Sequence, residues 1–268
     1  MEVPNYLYRC WSPASVGGLE SGKMITNTLD VTTILTDDEV DDEFFCHQNP
    51  WNRIPTGLVS TTSNFWRALH IAFRFQHEGE DDCDIVLAFI SPNKQGTTRV
   101  HHGFDLAEWA KNTRSLPTID PRHFKNEWLY EVQIPENHVI HTVSLATVLA
   151  RGFSLTPLKL NPDSSFPNLE DFLACVRVEI KKPFDRGFAC GLAAFDFGPR
   201  APSREIAVGL ADLPLDRSKL NHWQERVLEG IDSAIVARWL DVFDLVEDNR
   251  RRKKVVELEF ETEVLRVL

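Results

Sequence analysis

The sequence predicts an α+β domain over residues 4–155 followed by a mainly helical region over residues 156–268. Three observations carry this prediction. Apolar or alternating runs of strand length recur through the first half, at residues 5–10, 57–61, 85–90, 127–134 and 138–143, with few helical stripes between them. Near residue 155 the chain changes to proline-marked linkers and apolar residues at helical spacing. The bulk composition, 268 residues with 43% hydrophobic and 26% charged side chains and seven tryptophans, is that of a chain long enough to bury a full core, and it excludes wholesale disorder.

Each element has a local reason. Residues 5–10 form a short strand, and Ser12-Pro13 and Gly17-Gly18 then impose turns. The acidic run Thr36 to Glu43 lacks the central glycine and the twelfth-position glutamate of a calcium loop, so it reads as a solvated acidic loop. Gly57 to Thr61 is a strand, and Ser63 is a natural N-cap for a helix over about residues 64–77, with Trp66, Leu69, Phe73 and Gln76 along one stripe. Ile85 to Ile90 is continuously apolar, as a central strand requires. A second helix follows around Leu106 to Lys111, then a strand over residues 127–134, a turn at Pro135, and a returning strand from His138 to Val143. Ser144 caps a short helix that stops at Gly152.

Beyond a linker over residues 157–168, Asn168 caps a helix to about Lys181, and a hinge at Pro199 to Pro202 precedes a short helix at 203–211. Val227, Ile231, Ala234, Ile235, Trp239 and Val242 mark a long amphipathic helix within Leu220 to Leu245. Arg250 to Lys254 reads as a solvated or helix-terminal basic run rather than a nuclear import signal, and the tail from Val255 fits helix and strand equally.

The formal net charge of -11 argues against non-specific binding to nucleic acid or an anionic membrane. The five cysteines form no Cys-x-x-Cys pair, and neither a signal-peptide core nor a membrane span is found. These features predict an intracellular protein, cytoplasmic or nuclear, without a membrane partner. His101-His102 lacks companions at metal-ligand spacing and reads as a surface loop, His138 and His141 read as partly exposed strand positions, and no metal is expected. The P-loop, the nucleophile elbow and the Gly-x-Gly-x-x-Gly fingerprint are all missing.

One strand carries a carboxylate that needs a reason. Glu127 stands in an otherwise apolar run, and desolvating a carboxylate costs several kcal/mol unless a partner or ligand compensates. A rim salt bridge would explain it. So would chemistry, because cleavage of a glycosidic bond through an oxocarbenium-like transition state needs a carboxylate beside the developing positive charge. Arg9 is then a candidate for binding phosphates or ribose hydroxyls in bidentate fashion, or else a simple edge ion pair. Ser60, Thr61, Thr62 and Ser63 supply hydroxyls that hold a carboxylate or ribose, or else merely start a helix. Tyr8, Phe65, Trp66 and Trp128 are aromatic groups able to stack on a nicotinamide or adenine ring.

The opening Tyr6-Leu7-Tyr8-Arg9-x-Trp11-Ser12-Pro13, the hydroxyl run at 60–63 leading into a helix, and Glu127-Trp128-Leu129 together resemble fungal domains of the DUF7587 type over about residues 4–152. That pattern is in turn similar to the Arg, Ser-Thr-Ser, Glu arrangement of ADP-ribosyltransferases. The resemblance implies a split antiparallel β core with flanking helices that grips NAD as co-substrate, with Glu127 catalytic and Tyr8, Arg9 and Ser60 to Ser63 on the NAD side. Ser-Thr-Thr-Ser replaces Ser-Thr-Ser, which leaves the hydroxyl that faces the site open. Lys125 stands where arginine-modifying transferases carry Glu or Gln, so the implied acceptor is one other than arginine. The expected activity is ADP-ribosyl transfer or NAD hydrolysis. The alternative is a catalytically inactive relative of that fold that serves as a protein-interaction module.

Overall fold

In the computed structural model of the chain, the residues described are 2–13, 15, 18–20, 23–25, 35–48, 56–92, 98–113, 119–153, 165–176, 180–214 and 219–240. The alternating runs of the first half pair into one six-stranded sheet in the order β6-β7-β4-β1-β5-β9. Its members are β1 (Leu7–Trp11), β4 (Leu58–Thr62), β5 (Val86–Ile90), β6 (Val100–His102), β7 (Glu127–Glu131) and β9 (Val139–Ser144), and every neighbouring pair is antiparallel. A smaller sheet joins β2 (Gly18–Glu20), β3 (Lys23–Ile25) and β8 (Gln133–Ile134). The fold is α+β, as the sequence predicts.

The strand expected over residues 127–134 is two strands. Val132 adopts φ 63, a left-handed conformation that is costly for a β-branched residue, and the chain turns there from the large sheet into the small one. The backbone N–H of Val132 donates to the Gly57 carbonyl at 2.7 Å, which holds the bend.

Helices cover one face of the large sheet. They include α1 (Asp37–His47), α2 (Phe65–His77), α3 (Gly103–Thr113) and α4 (Leu145–Ala150). The acidic run is therefore the first turns of α1 and not a loop. Thr36 accepts from the Glu39 amide while the Glu39 carboxylate takes the Thr36 amide, and Asp37, Asp38 and Glu39 sit where the helix dipole favours negative charge. Val40 and Phe44 anchor α1 in a cluster with Leu58, Ala107 and Leu129. α2 is capped by Asn64 and not by Ser63, whose amide instead donates to the Asn126 carbonyl and extends the β4–β7 ladder. Ser144 caps α4 and Gly152 follows it at φ 107, as expected. On the other face Leu7, Val59, Ala88, Ile90, Trp128, Tyr130 and Ile134 form a separate apolar cluster.

The C-terminal region packs on the helical side. It contains α5 (Leu169–Val176), α6 (Pro183–Ala194), α7 (Ser203–Leu210) and the helical residues 222–240, here α8. Asn168 caps α5 as expected, its Oδ1 accepting from the amides of Glu170 and Asp171. α6 is absent from the sequence reading because Gly187 and Gly191 weaken its helical signal. The same glycines allow a close crossing, since a Cβ at Gly187 would lie 1.8 Å from the Val227 carbonyl oxygen. Phe172, Ala194, Phe197, Ile206, Val227 and Ile231 join Tyr8, Phe65 and Phe89 in one core cluster. The basic run and the tail from Val255 lie outside the described residues.

Candidate functional site

The β4–β7 ladder sets the site. Thr62 lies opposite Glu127 and Ser60 opposite Leu129, so Ser60, Thr62 and Glu127 share the helix-covered face of the sheet. Ser60 Oγ donates to Glu127 Oε1 at 2.5 Å. Two further elements deliver cationic or titratable groups. His47, the last residue of α1, places Nε2 3.5 Å from Glu127 Oε1 while its Nδ1 lies 3.0 Å from Thr56 Oγ1. Arg67, in the first turn of α2, places Nη2 3.6 Å from Glu127 Oε2 and donates from Nη1 to the His123 carbonyl at 3.3 Å. The start of α3 closes over the same carboxylate's stem, since a Cβ at Gly103 would meet Glu127 Cβ at 3.2 Å.

Glu127 is buried, and burial pushes its carboxyl upward. The hydrogen bond from His47, the charge of Arg67 and the Ser60 hydroxyl outweigh that effect and hold it below its ordinary value. The group is thus a carboxylate at neutral pH, suited to stabilising positive charge or accepting hydrogen bonds and not to donating a proton.

Arg9 joins the site indirectly. By strand alternation it leaves β1 on the face of Leu7 and Ala88, whereas Tyr8, opposite Thr62, shares the face of Glu127. β1 and β4 are registered at the single pair Tyr8 and Thr62, while β1 pairs with β5 along all five of its residues. Beside that narrow join the guanidinium of Arg9 donates from Nη1 to the Ser60 carbonyl at 2.6 Å. Burial lowers its pKa to about 10, and the negative charge of Glu127 acts the other way. A hydrogen-bonded line therefore runs from Arg9 through Ser60 to Glu127 across three adjacent strands. Arg9 and Glu127 thus leave the sheet on opposite faces, and the link between them runs through the Ser60 backbone.

The remaining nominated residues separate. Thr61 points to the opposite face and donates to the Trp128 carbonyl at 2.7 Å. Thr62 is buried and its Oγ1 accepts from the Asn64 amide, while Ser63 Oγ donates weakly to the Asn126 carbonyl at 3.4 Å. Ser60 is the hydroxyl of the run that meets Glu127. Tyr8 packs edge-on against Phe65 and Phe89, with ring centroids 5.0 and 5.9 Å away, and Phe65, Trp66 and Trp128 are likewise core residues. His101 and His102 belong to β6 and not to a loop, and His138 is buried beside Tyr130 instead of partly exposed. His47 and Arg67 escaped the sequence reading. The capping-box spacing of Thr36 and Glu39 was the signal that would have located α1 and hence His47.

Among the described residues, no group of three or more His, Cys, Asp or Glu is placed to hold a metal ion, and no helix is long and apolar enough to cross a membrane. A family model described as a domain of unknown function (DUF7587) matches residues 2–148. The chain belongs to the DUF7587 family. No curated protein and no solved structure matches it. Every member of the Glu127 cluster, from Arg9 to Arg67, lies inside the DUF7587 match, and α5 to α8 lie beyond it.

Proposed function

We propose that this DUF7587 domain binds NAD and cleaves its nicotinamide glycosidic bond, with Glu127 stabilising the oxocarbenium-like ribosyl cation and water or an acceptor other than arginine receiving the ribosyl group. The observation that carries the reading is the line Arg9–Ser60–Glu127, in which three residues nominated from strands far apart in the sequence are joined by hydrogen bonds of 2.6 and 2.5 Å. A carboxylate kept ionised and held by a hydroxyl is what the developing positive charge requires. In this reading Arg9 is a positioning residue that fixes the Ser60 backbone. Arg67, half-exposed beside Glu127, is the better placed guanidinium for a diphosphate.

A second reading, a related fold that has lost turnover and serves interaction with other proteins, is favoured by one observation. Both oxygens of Glu127 already have protein partners in Ser60, His47 and Arg67. Nicotinamide release and NAD-dependent thermal shift separate the two. NAD at a hundred times its dissociation constant stabilises by about 2.7 kcal/mol. The proposal expects native protein to bind and to release nicotinamide, and Glu127→Gln to bind with release lowered at least a hundredfold. Neither shift nor release from the native chain would overturn it in favour of the inactive module.

A further inference from the structure

The ion pair between Arg67 and Glu127 joins two groups of unequal freedom. Glu127 stands on β7, an interior strand of the large sheet, with its side chain 7% exposed, whereas the Arg67 side chain is 35% exposed in the first turn of α2. Their contact is a single one, Nη2 to Oε2 at 3.6 Å, and the guanidinium's other anchor is the His123 carbonyl at 3.3 Å from Nη1. Ser60 and His47 both meet Oε1, so Arg67 sets its charge against the oxygen that they leave open. We propose that Arg67 is a specificity-determining residue, which covers Glu127 at rest and exchanges it for the diphosphate of a nicotinamide dinucleotide. The site then opens to substrates that carry a diphosphate. This inference rests on the NAD reading above.

Charge favours the exchange at both ends. A guanidinium makes two parallel hydrogen bonds to phosphate oxygens, which its single long contact with Glu127 does not supply. A buried carboxylate stripped of its counter-charge is costly, so Arg67 leaves only where another cation arrives. The nicotinamide ring of NAD is that cation. When the glycosidic bond breaks, its electron pair goes to the ring nitrogen and the positive charge passes to the ribosyl group, still beside Glu127. Nicotinamide riboside carries the same cation but no diphosphate, and must displace Arg67 into solvent alone.

Calorimetric titration of the full chain with ADP tests the exchange without any turnover. Native protein is expected to bind ADP one-to-one, and Arg67→Ala to weaken it by about tenfold or more. Glu127→Gln frees Arg67 and is expected to tighten ADP by about fivefold. That gain should vanish in the double variant Arg67→Ala, Glu127→Gln, in which no buried carboxylate is left without its cation, so that the fold is kept. A gain that persists in the double variant would reflect only the loss of a negative charge and would overturn the exchange, as would equal ADP affinity in all four proteins or absence of ADP binding. In turnover, kcat/KM for nicotinamide release is expected to be about a hundredfold higher for NAD than for nicotinamide riboside in the native chain, and less than about tenfold higher in Arg67→Ala. Release from NAD with the same preference in both proteins would overturn the inference and leave the NAD reading intact. The ADP coupling without nicotinamide release from either substrate would overturn the proposed cleavage and leave the exchange in place.

Discussion

Two buried glutamates stand on one face of β7, four residues apart, and each is met by a histidine and an arginine, yet they differ in what holds them. Glu131 takes the backbone N–H of Leu35 at 3.2 Å on one oxygen and His101 at 2.6 Å and Arg99 at 3.3 Å on the other. Arg99 also donates to the Leu35 carbonyl at 3.1 Å and to Asp37. Glu131 is therefore a clamp on the chain entering α1. Among the described residues, Glu127 is held by side chains alone, from β4, from the end of α1 and from α2. A carboxylate bound to a backbone amide is part of the scaffold. One bound only by side chains can exchange partners for a ligand without opening a backbone hydrogen bond. α1 links the two, since the chain entering it is held by Glu131 and its last residue lies beside Glu127.

The sharpest test of this contrast is alanine at each position. Glu131→Ala strands the buried Leu35 amide and removes the counter-charge of His101 and Arg99, and a loss of about 3 kcal/mol is expected. Thr36→Ala removes the capping hydroxyl at the same end of α1 and is expected to cost about 1 kcal/mol. Glu127→Ala leaves Ser60, His47 and Arg67, which have other partners or solvent, and about 1 kcal/mol or less is expected. Denaturant unfolding of the three variants measures all of this. Equal losses at Glu127 and Glu131 would erase the distinction and make Glu127 a second clamp.

How much of this was legible in the sequence depends on which physical signal carried it. Apolar alternation disclosed β1, β4, β5, β7 and β9 and so the strands bearing Arg9, Ser60 and Glu127, because burial on at least one face imposes that pattern. Which face Arg9 leaves from was not legible, since it depends on the pairing of Tyr8 with Thr62, a tertiary fact. The break at Val132 was hidden, as a β-branched residue argues for a continuing strand and the left-handed turn is imposed by its bond to Gly57. α1 was masked by its charge and α6 by its glycines, although the capping box in the first case was readable. With α1 went His47, so the sequence yielded the strand half of the cluster and the structure added its helical half.

The smallest expected effect is also the most specific to Glu127. Its folded pKa lies below the ordinary carboxyl value of about 4.3, so ionisation is favoured by folding. The resulting stabilisation is fully present above that value, declines as pH falls through the folded pKa, and vanishes once the group is protonated in both states. Glu127→Gln cannot titrate there. The stability difference between native protein and Glu127→Gln should therefore shrink as the pH falls below about 4. Equilibrium unfolding at a series of pH values reads this directly. A difference that grows on acidification would mean that Glu127 carries a proton more readily in the folded state, and would remove the argument that it is an ionised stabiliser of positive charge.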